Sequence, residues 1–216
     1  MKKIIAMAVA AVLMVSAASA LDLEFGARGI LGRNLDNGTF KENVTQAKED
    51  KTFDAGFGIY GNFALFGGLG IQAEANYVKS SIDFKAKEQG TNNYKTVPYE
   101  LHTLDLAPMV WLNLDLWKFT LGFGAGPNFS IPVASLGEVK NATKDQFTVG
   151  LIAGADFKFY FTKHLGLVLS GRYVTDWTKK NIVLEGYGQT VDTGIPEYSF
   201  NRKTLYGGLG LEFKLL

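Results

Sequence analysis

The sequence predicts an all-β protein, an eight-stranded antiparallel up-and-down transmembrane β-barrel preceded by a cleaved signal peptide. Three observations carry that prediction: a short apolar leader, alternating runs far longer than an ordinary strand, and links that alternate between long and short. Period-two alternation puts successive side chains on opposite faces of a strand. Where one face is apolar over a dozen residues and the other is polar or glycine, the two faces meet different solvents, lipid outside and a polar lumen inside.

The leader comes first. Met1-Lys2-Lys3 is a basic start, Ile4–Val15 an apolar run, and Ala18-Ser19-Ala20 a small-residue cleavage site ending at Ala20. That is the pattern of a secretory signal peptide, and the run is shorter than the ~20 residues a retained helix needs. The chain is therefore read as 1–20 signal peptide and 21–216 barrel domain. Without Lys2 and Lys3 the remainder holds 20 basic and 21 acidic side chains, a net charge of −1. That balance argues against a nucleic-acid partner, which favours a strongly basic face. The absence of Cys excludes a disulfide framework. The 25 glycines and 13% aromatic content suit a barrel with a crowded lumen and aromatic girdles.

The first strand, Leu21–Leu31, sets Leu23, Phe25, Ala27 and Leu31 against Asp22, Glu24 and Arg28. The second, Phe53–Leu65, sets Phe57, Ile59, Phe63 and Leu65 against Asp54, Tyr60 and Asn62. The third, Leu69–Ser81, opposes Ile71, Ala73, Ala75 and Tyr77 to Gln72, Glu74 and Asn76. The fourth, Leu101–Leu114, opposes Leu104, Leu106, Pro108, Val110 and Leu112 to Thr103, Asp105, Met109, Trp111 and Asn113. The fifth runs from Phe119 to Phe129, with Phe123, Ala125 and Pro127 opposite Gly122, Gly124, Gly126 and Asn128. The sixth and seventh form one hairpin over Phe147–Trp177, turning at Thr162-Lys163-His164. Its lipid face runs Phe147 to Phe161 and Leu165 to Tyr173, and Asp156, Lys158 and Arg172 become lumen neighbours. The eighth sets Leu205, Leu209, Leu211 and Phe213 against Tyr206, Glu212 and Lys214. Proline cannot donate to a ladder, so a bulge or a barrel-end position is expected at Pro108 and Pro127.

Between these strands lie long polar loops at Gly32–Thr52, Lys85–Tyr99, Ile131–Gln146 and Thr178–Arg202, separated by tight links at Phe66–Gly68, Asp115–Trp117 and Thr162–His164. Membrane barrels combine an even strand count with short periplasmic turns and long extracellular loops. A soluble eight-stranded barrel would turn its apolar face inward; here the glycine-rich face is the inward one.

By these features the chain resembles the small outer-membrane β-barrel families of the OmpA, OmpX and OmpW type, the porin-like outer membrane protein β-barrel domain group. Leu104-Asp105-Leu106-Ala107-Pro108-Met109-Val110 is similar to that group's fourth-strand pattern, and Gly124-Ala125-Gly126-Pro127-Asn128-Phe129-Ser130 to its fifth. The final Glu212-Phe213-Lys214-Leu215-Leu216 departs from the aromatic ending such barrels often have. The resemblance implies the outer membrane of a diderm bacterium, contact with its lipid, and periplasmic chaperones and insertion machinery during biogenesis. It also implies a monomer.

The inward charges are Glu24, Arg28, Asp54, Glu74, Asp105, Asp156, Lys158, Arg172, Glu212 and Lys214. An eight-stranded barrel is just wide enough for its own side chains, so these charges form either a paired plug or the lining of a narrow conduit. Two aromatic belts are expected at the interfaces, with Trp111, Trp117, Phe119, Phe159, Phe161 and Phe213 toward the turns and Phe53, Tyr77, Tyr173 and Trp177 toward the loops. His102 and His164 fall at opposite ends of the barrel; His164 sits in a turn beside Lys163, where it is solvated, and no Ser follows His102 at a spacing that would share its face. No enzyme, cofactor or metal site is therefore expected. The glycine clusters Gly67-Gly68-Leu69-Gly70 and Gly207-Gly208-Leu209-Gly210 lack the Gly-Lys-Ser/Thr of a phosphate loop. Two functions remain open: a structural or surface-interaction barrel with an extracellular ligand held by its loops, and a narrow pore for small solutes.

Overall fold

A computed structural model describes residues 23–35, 39–40, 47–51, 53–66, 68–87, 94–137, 147–183 and 197–215. The leader and its cleavage site at Ala20 lie outside them. The described residues form eight long strands: β1 (Leu23–Asn34), β2 (Phe53–Phe66), β3 (Leu69–Lys87), β4 (Tyr94–Leu116), β5 (Phe119–Gly137), β6 (Thr148–Tyr160), β7 (Leu165–Asp176) and β8 (Lys203–Leu215). Each pairs antiparallel with its sequence neighbour, and β1 with β8 closes the ring in the register Leu23↔Leu215 to Asn34↔Thr204. Closure leaves no free edge, which is what a sheet needs where no water can satisfy its backbone. Among the described residues no helix is long and apolar enough to cross a membrane.

Burial is inverted relative to a water-soluble domain. Glu24, Arg28, Glu74, Asp105, Asp156, Lys158, Arg172 and Glu212 are buried inside the ring, while Ile59, Val110, Leu169, Leu209 and Leu211 are exposed outside it. Such a wide apolar exterior is not tolerated by a soluble monomer; in hydrocarbon it costs nothing.

Four strands run beyond the expected limits. β1 reaches Asn34, β3 continues to Lys87, β4 begins at Tyr94 and β5 reaches Gly137, so parts of the first three loops are sheet. The pairs Ile82↔Tyr99 and Lys85↔Thr96 continue the β3–β4 ladder without a shift. Polar composition marked these stretches as loops, but a strand standing in water carries charge without losing its ladder. A short strand, Ala47–Lys51, pairs with the outer part of β3. Lys180–Val183, Glu197–Phe200 and Thr39–Phe40 form a small separate sheet.

The prolines correct a second expectation. Leu106↔Phe129 and Val110↔Ala125 are in one register, so Pro108 stands directly opposite Pro127, in mid-strand and without a bulge. The two missing donors thus fall in the same interruption of the β4–β5 ladder. Each proline keeps its partner on the other side, Ala73 and Leu151. Gly126 fits beside them because a Cβ there would lie 2.0 Å from the Pro108 carbonyl oxygen. The register shift on this ladder falls instead between His102 and Thr103. At the tight turns, Gly68 has φ +80°, and Trp117 takes φ +61°, a conformation costing a side-chain-bearing residue roughly 1–2 kcal/mol.

Candidate functional site in the barrel lumen

The inward positions converge on three polar layers. At the short-turn end, Lys158 on β6 sits between two carboxylates, with Nζ 2.5 Å from Glu24 Oε2 and 2.8 Å from Glu212 Oε2. Tyr60 donates to Glu212 Oε2 at 2.8 Å, Tyr160 donates to both glutamates, and Asn62 donates to Glu24 at 3.1 Å. Lys214 Nζ stands 3.9 Å from Glu24 Oε1 at the partly exposed rim. Two acids and one fully buried ammonium, surrounded by hydroxyl and amide donors, satisfy the condition on which buried charge is tolerated.

The middle layer centres on Glu74 of β3. Arg28 pairs with one carboxylate oxygen, and Arg172 donates to the other from Nε at 2.9 Å and Nη2 at 2.7 Å. Arg172 also grips Asp156 with both Nη atoms, at 2.6 and 3.0 Å. Bidentate geometry of this kind fixes orientation as well as charge. Gln72 and Asn76 donate to Glu74 at 2.7 and 3.2 Å. The Arg172 guanidinium lies 4.9 Å above the Trp111 ring and that of Arg28 5.3 Å above the Tyr60 ring.

The third layer, toward the loops, is built on Arg202, which immediately precedes β8. Its Nη1 reaches Asp105 Oδ2 at 2.9 Å, and its Nη2 reaches Ser130 Oγ at 2.6 Å and Asp176 Oδ1 at 3.4 Å. Ser130 in turn donates to Asp105 at 2.5 Å, and Thr148 to Asp176 at 3.0 Å. Asp54 is buried with one oxygen, Oδ2, lacking a hydrogen bond.

Apolar side chains occupy the space among these layers: Ile30, Val78, Met109, Trp111, Ile152, Val174 and Tyr206 form one buried cluster. A cavity of about 10 Å³ lies between the middle and outer layers, lined by Arg28, Asn76, Asp105, Arg172 and Tyr206 among others. That is room for about one water molecule. Among the described residues no group of three or more His, Asp or Glu is placed to hold a metal ion.

The structure rearranges the expected charge network in one respect. Asp156 and Arg172 meet, but Lys158 leaves them for Glu24 and Glu212, because a long side chain on β6 points down the axis toward the turns. It also adds Arg202 and Asp176. Arg202 falls among residues read as loop, yet it shares the even parity of the inward residues Thr204, Tyr206 and Glu212. Trp111 does not belong to an interfacial belt: it is fully buried in the lumen, with Nε1 donating to Asn113 at 3.0 Å. Its parity with Met109 and Asn113 dictates this. Of the other belt residues, Phe53, Trp117, Phe119, Phe161, Tyr173, Trp177 and Phe213 are exposed on the outer wall, and Tyr77 and Phe159 are half-buried.

A closed antiparallel barrel with an apolar wall and a charged, side-chain-filled interior is an integral membrane β-barrel. Residues 18–175 match the family model described as outer membrane protein beta-barrel domain, and the chain belongs to that family. It resides in the cell outer membrane, with its short turns on the periplasmic side. Among solved structures it is similar to the outer membrane protein OprG from Pseudomonas aeruginosa, at TM-score 0.72 and 14% identity over 90% of this chain and 95% of that one. It is also similar to AlkL, solved in DMPC bilayers, at TM-score 0.46 and 12% identity over 90% and 89% of the two chains. Ail of Yersinia pestis, in complex with the heparin analogue sucrose octasulfate, has TM-score 0.45 and 11% identity over 90% and 99%. A search of curated proteins returned no match. Identities this low bear on the fold alone.

Proposed function

We propose that the chain is a sealed, non-catalytic outer-membrane barrel with a structural and surface-interaction role. The observation that carries this reading is the lumen filling. Among the described residues, seven buried acids and four buried bases (Lys214 stands at the rim) are engaged chiefly with one another across strands far apart in sequence, as Glu24 and Lys158 or Asp105 and Arg202 illustrate. Aromatic and aliphatic side chains fill the gaps. A conduit would need these pairs to separate, and breaking a buried pair costs several kcal/mol. Contact with partners then falls to the extracellular side, where β3, β4 and β5 stand clear of the bilayer. The barrel works as a monomer, delivered by periplasmic chaperones and the insertion machinery.

Liposome swelling tests the reading. Vesicles carrying the refolded protein should swell in small sugars or amino acids no faster than empty ones. Swelling that tracks solute size would instead establish the solute-pore reading.

A further inference from the structure

The small cavity between the middle and outer layers is not an ordinary packing gap, because two buried polar groups on its lining lack partners. Arg28 Nη2 pairs with Glu74 and also donates to Asn76 Oδ1 at 3.3 Å, whereas its Nη1 makes no hydrogen bond within the protein. The Tyr206 hydroxyl makes none either. Both residues line the cavity, and they are 4% and 6% exposed. A buried donor left unpaired is costly. Two of them on the lining of one cavity call for an occupant.

Size and charge select that occupant. The space is about 10 Å³, room for a single water and too little for an organic solute. The charged groups on the lining are already matched within the lumen: Arg28 with Glu74, Arg172 with Glu74 and Asp156, and Asp105 with Arg202. Such a lining suits a neutral ligand. The Asp105 carboxylate and the Ser170 hydroxyl supply acceptors on the same lining. Gly208 keeps the Ser170 corner open, because a Cβ there would collide with Ser170 Oγ.

We propose that this cavity is an internal water site. One water accepts from Arg28 Nη1 and the Tyr206 hydroxyl and donates to Asp105 and Ser170, filling the roughly two to four hydrogen bonds a buried water makes. It joins Arg28 of the middle layer to Asp105 of the outer one, so two polar layers become a single network. The site rests on the same lumen packing as the proposed function, but occupancy of one cavity is read separately from current or solute flow through the barrel.

A crystal structure of the full chain, at a resolution that orders lumen waters, tests it. One density peak within hydrogen-bond distance of Arg28 Nη1 and the Tyr206 hydroxyl is expected. A cavity without density overturns the proposal, as does an Arg28 side chain turned so that Nη1 meets a protein acceptor. Urea unfolding in lipid vesicles gives a second reading. Val174→Ile adds one carbon at the cavity lining. Filling a dry cavity stabilises a protein; here it should expel the water and strand its partners, lowering the folding equilibrium constant at least about fivefold. In a Tyr206→Phe background, with one stranded group fewer, the loss should be smaller. Unchanged or increased stability of Val174→Ile overturns the proposal, and so does an equal loss in both backgrounds, the mark of overpacking. Val78→Ile, at a second lining residue, repeats the comparison if Val174→Ile does not fold.

Discussion

Removing the ammonium of Lys158 should be among the most damaging single changes in this barrel. The side chain is fully buried, with Glu24 at 2.5 Å and Glu212 at 2.8 Å. Lys158→Met keeps the approximate volume but leaves Glu24 and Glu212 without the ammonium between them; Lys214, partly exposed at the rim and 3.9 Å from Glu24, makes only a long ion pair to one of the two. Breaking a buried pair by deleting one partner costs about 3–5 kcal/mol, a large fraction of the ~5–15 kcal/mol that usually separates folded from unfolded chains. Urea unfolding in lipid vesicles, followed by tryptophan emission and by gel mobility, measures the loss. Adding Glu24→Gln and Glu212→Gln to Lys158→Met should recover more than half of it. Each amide keeps one acceptor oxygen and replaces the other with an NH2 whose hydrogens a tyrosine hydroxyl or the Asn62 carbonyl oxygen accepts, so hydrogen bonding to Tyr60, Tyr160 and Asn62 is largely retained without the charge. A loss below ~1 kcal/mol in the single variant, or no recovery in the triple, would refute the claim that this layer is held by charge pairing.

Trp111→Ala removes a fully buried ring together with its contact to Arg172, and should cost about 3–5 kcal/mol in the same unfolding assay. Glycines separate by face. Gly124→Val should abolish the folded, heat-modifiable band, because even a Cβ would lie 2.1 Å from the Trp111 ring and 2.5 Å from the Val110 carbonyl oxygen. Gly171→Ala should fold with the wild-type midpoint, since a Cβ there meets nothing within 4 Å.

Most of the barrel is legible in the chain because its two solvents write opposite patterns on alternate residues. Parity alone puts Glu24, Arg28, Glu74 and Arg172 in the lumen, and it also puts Trp111 there, where a belt assignment by residue type goes wrong. Parity does not choose partners. Lys158 meets Glu24, 134 positions away, only because closure of β1 onto β8 brings that height of the barrel together. For the same reason the facing of Pro108 and Pro127 needs the register of β4 and β5. Arg202 escapes a reading by alternation because a polar stretch precedes it, although Thr204 and Tyr206 extend the inward face back to it. The outer ends of β3 and β4 escape for a related reason: charged and polar residues dominate 83–100, so composition ceases to distinguish strand from loop, although Ile82 and Tyr99 are buried there.

Under the proposed function, the Lys158, Glu74 and Arg202 layers and the apolar side chains among them close the lumen along its axis. Single-channel recording of the refolded full chain in planar lipid bilayers tests it most directly. A sealed barrel gives a flat trace at either polarity under conditions where gel mobility shows it folded. Stable, reproducible steps of ionic current from the wild-type protein would contradict the account.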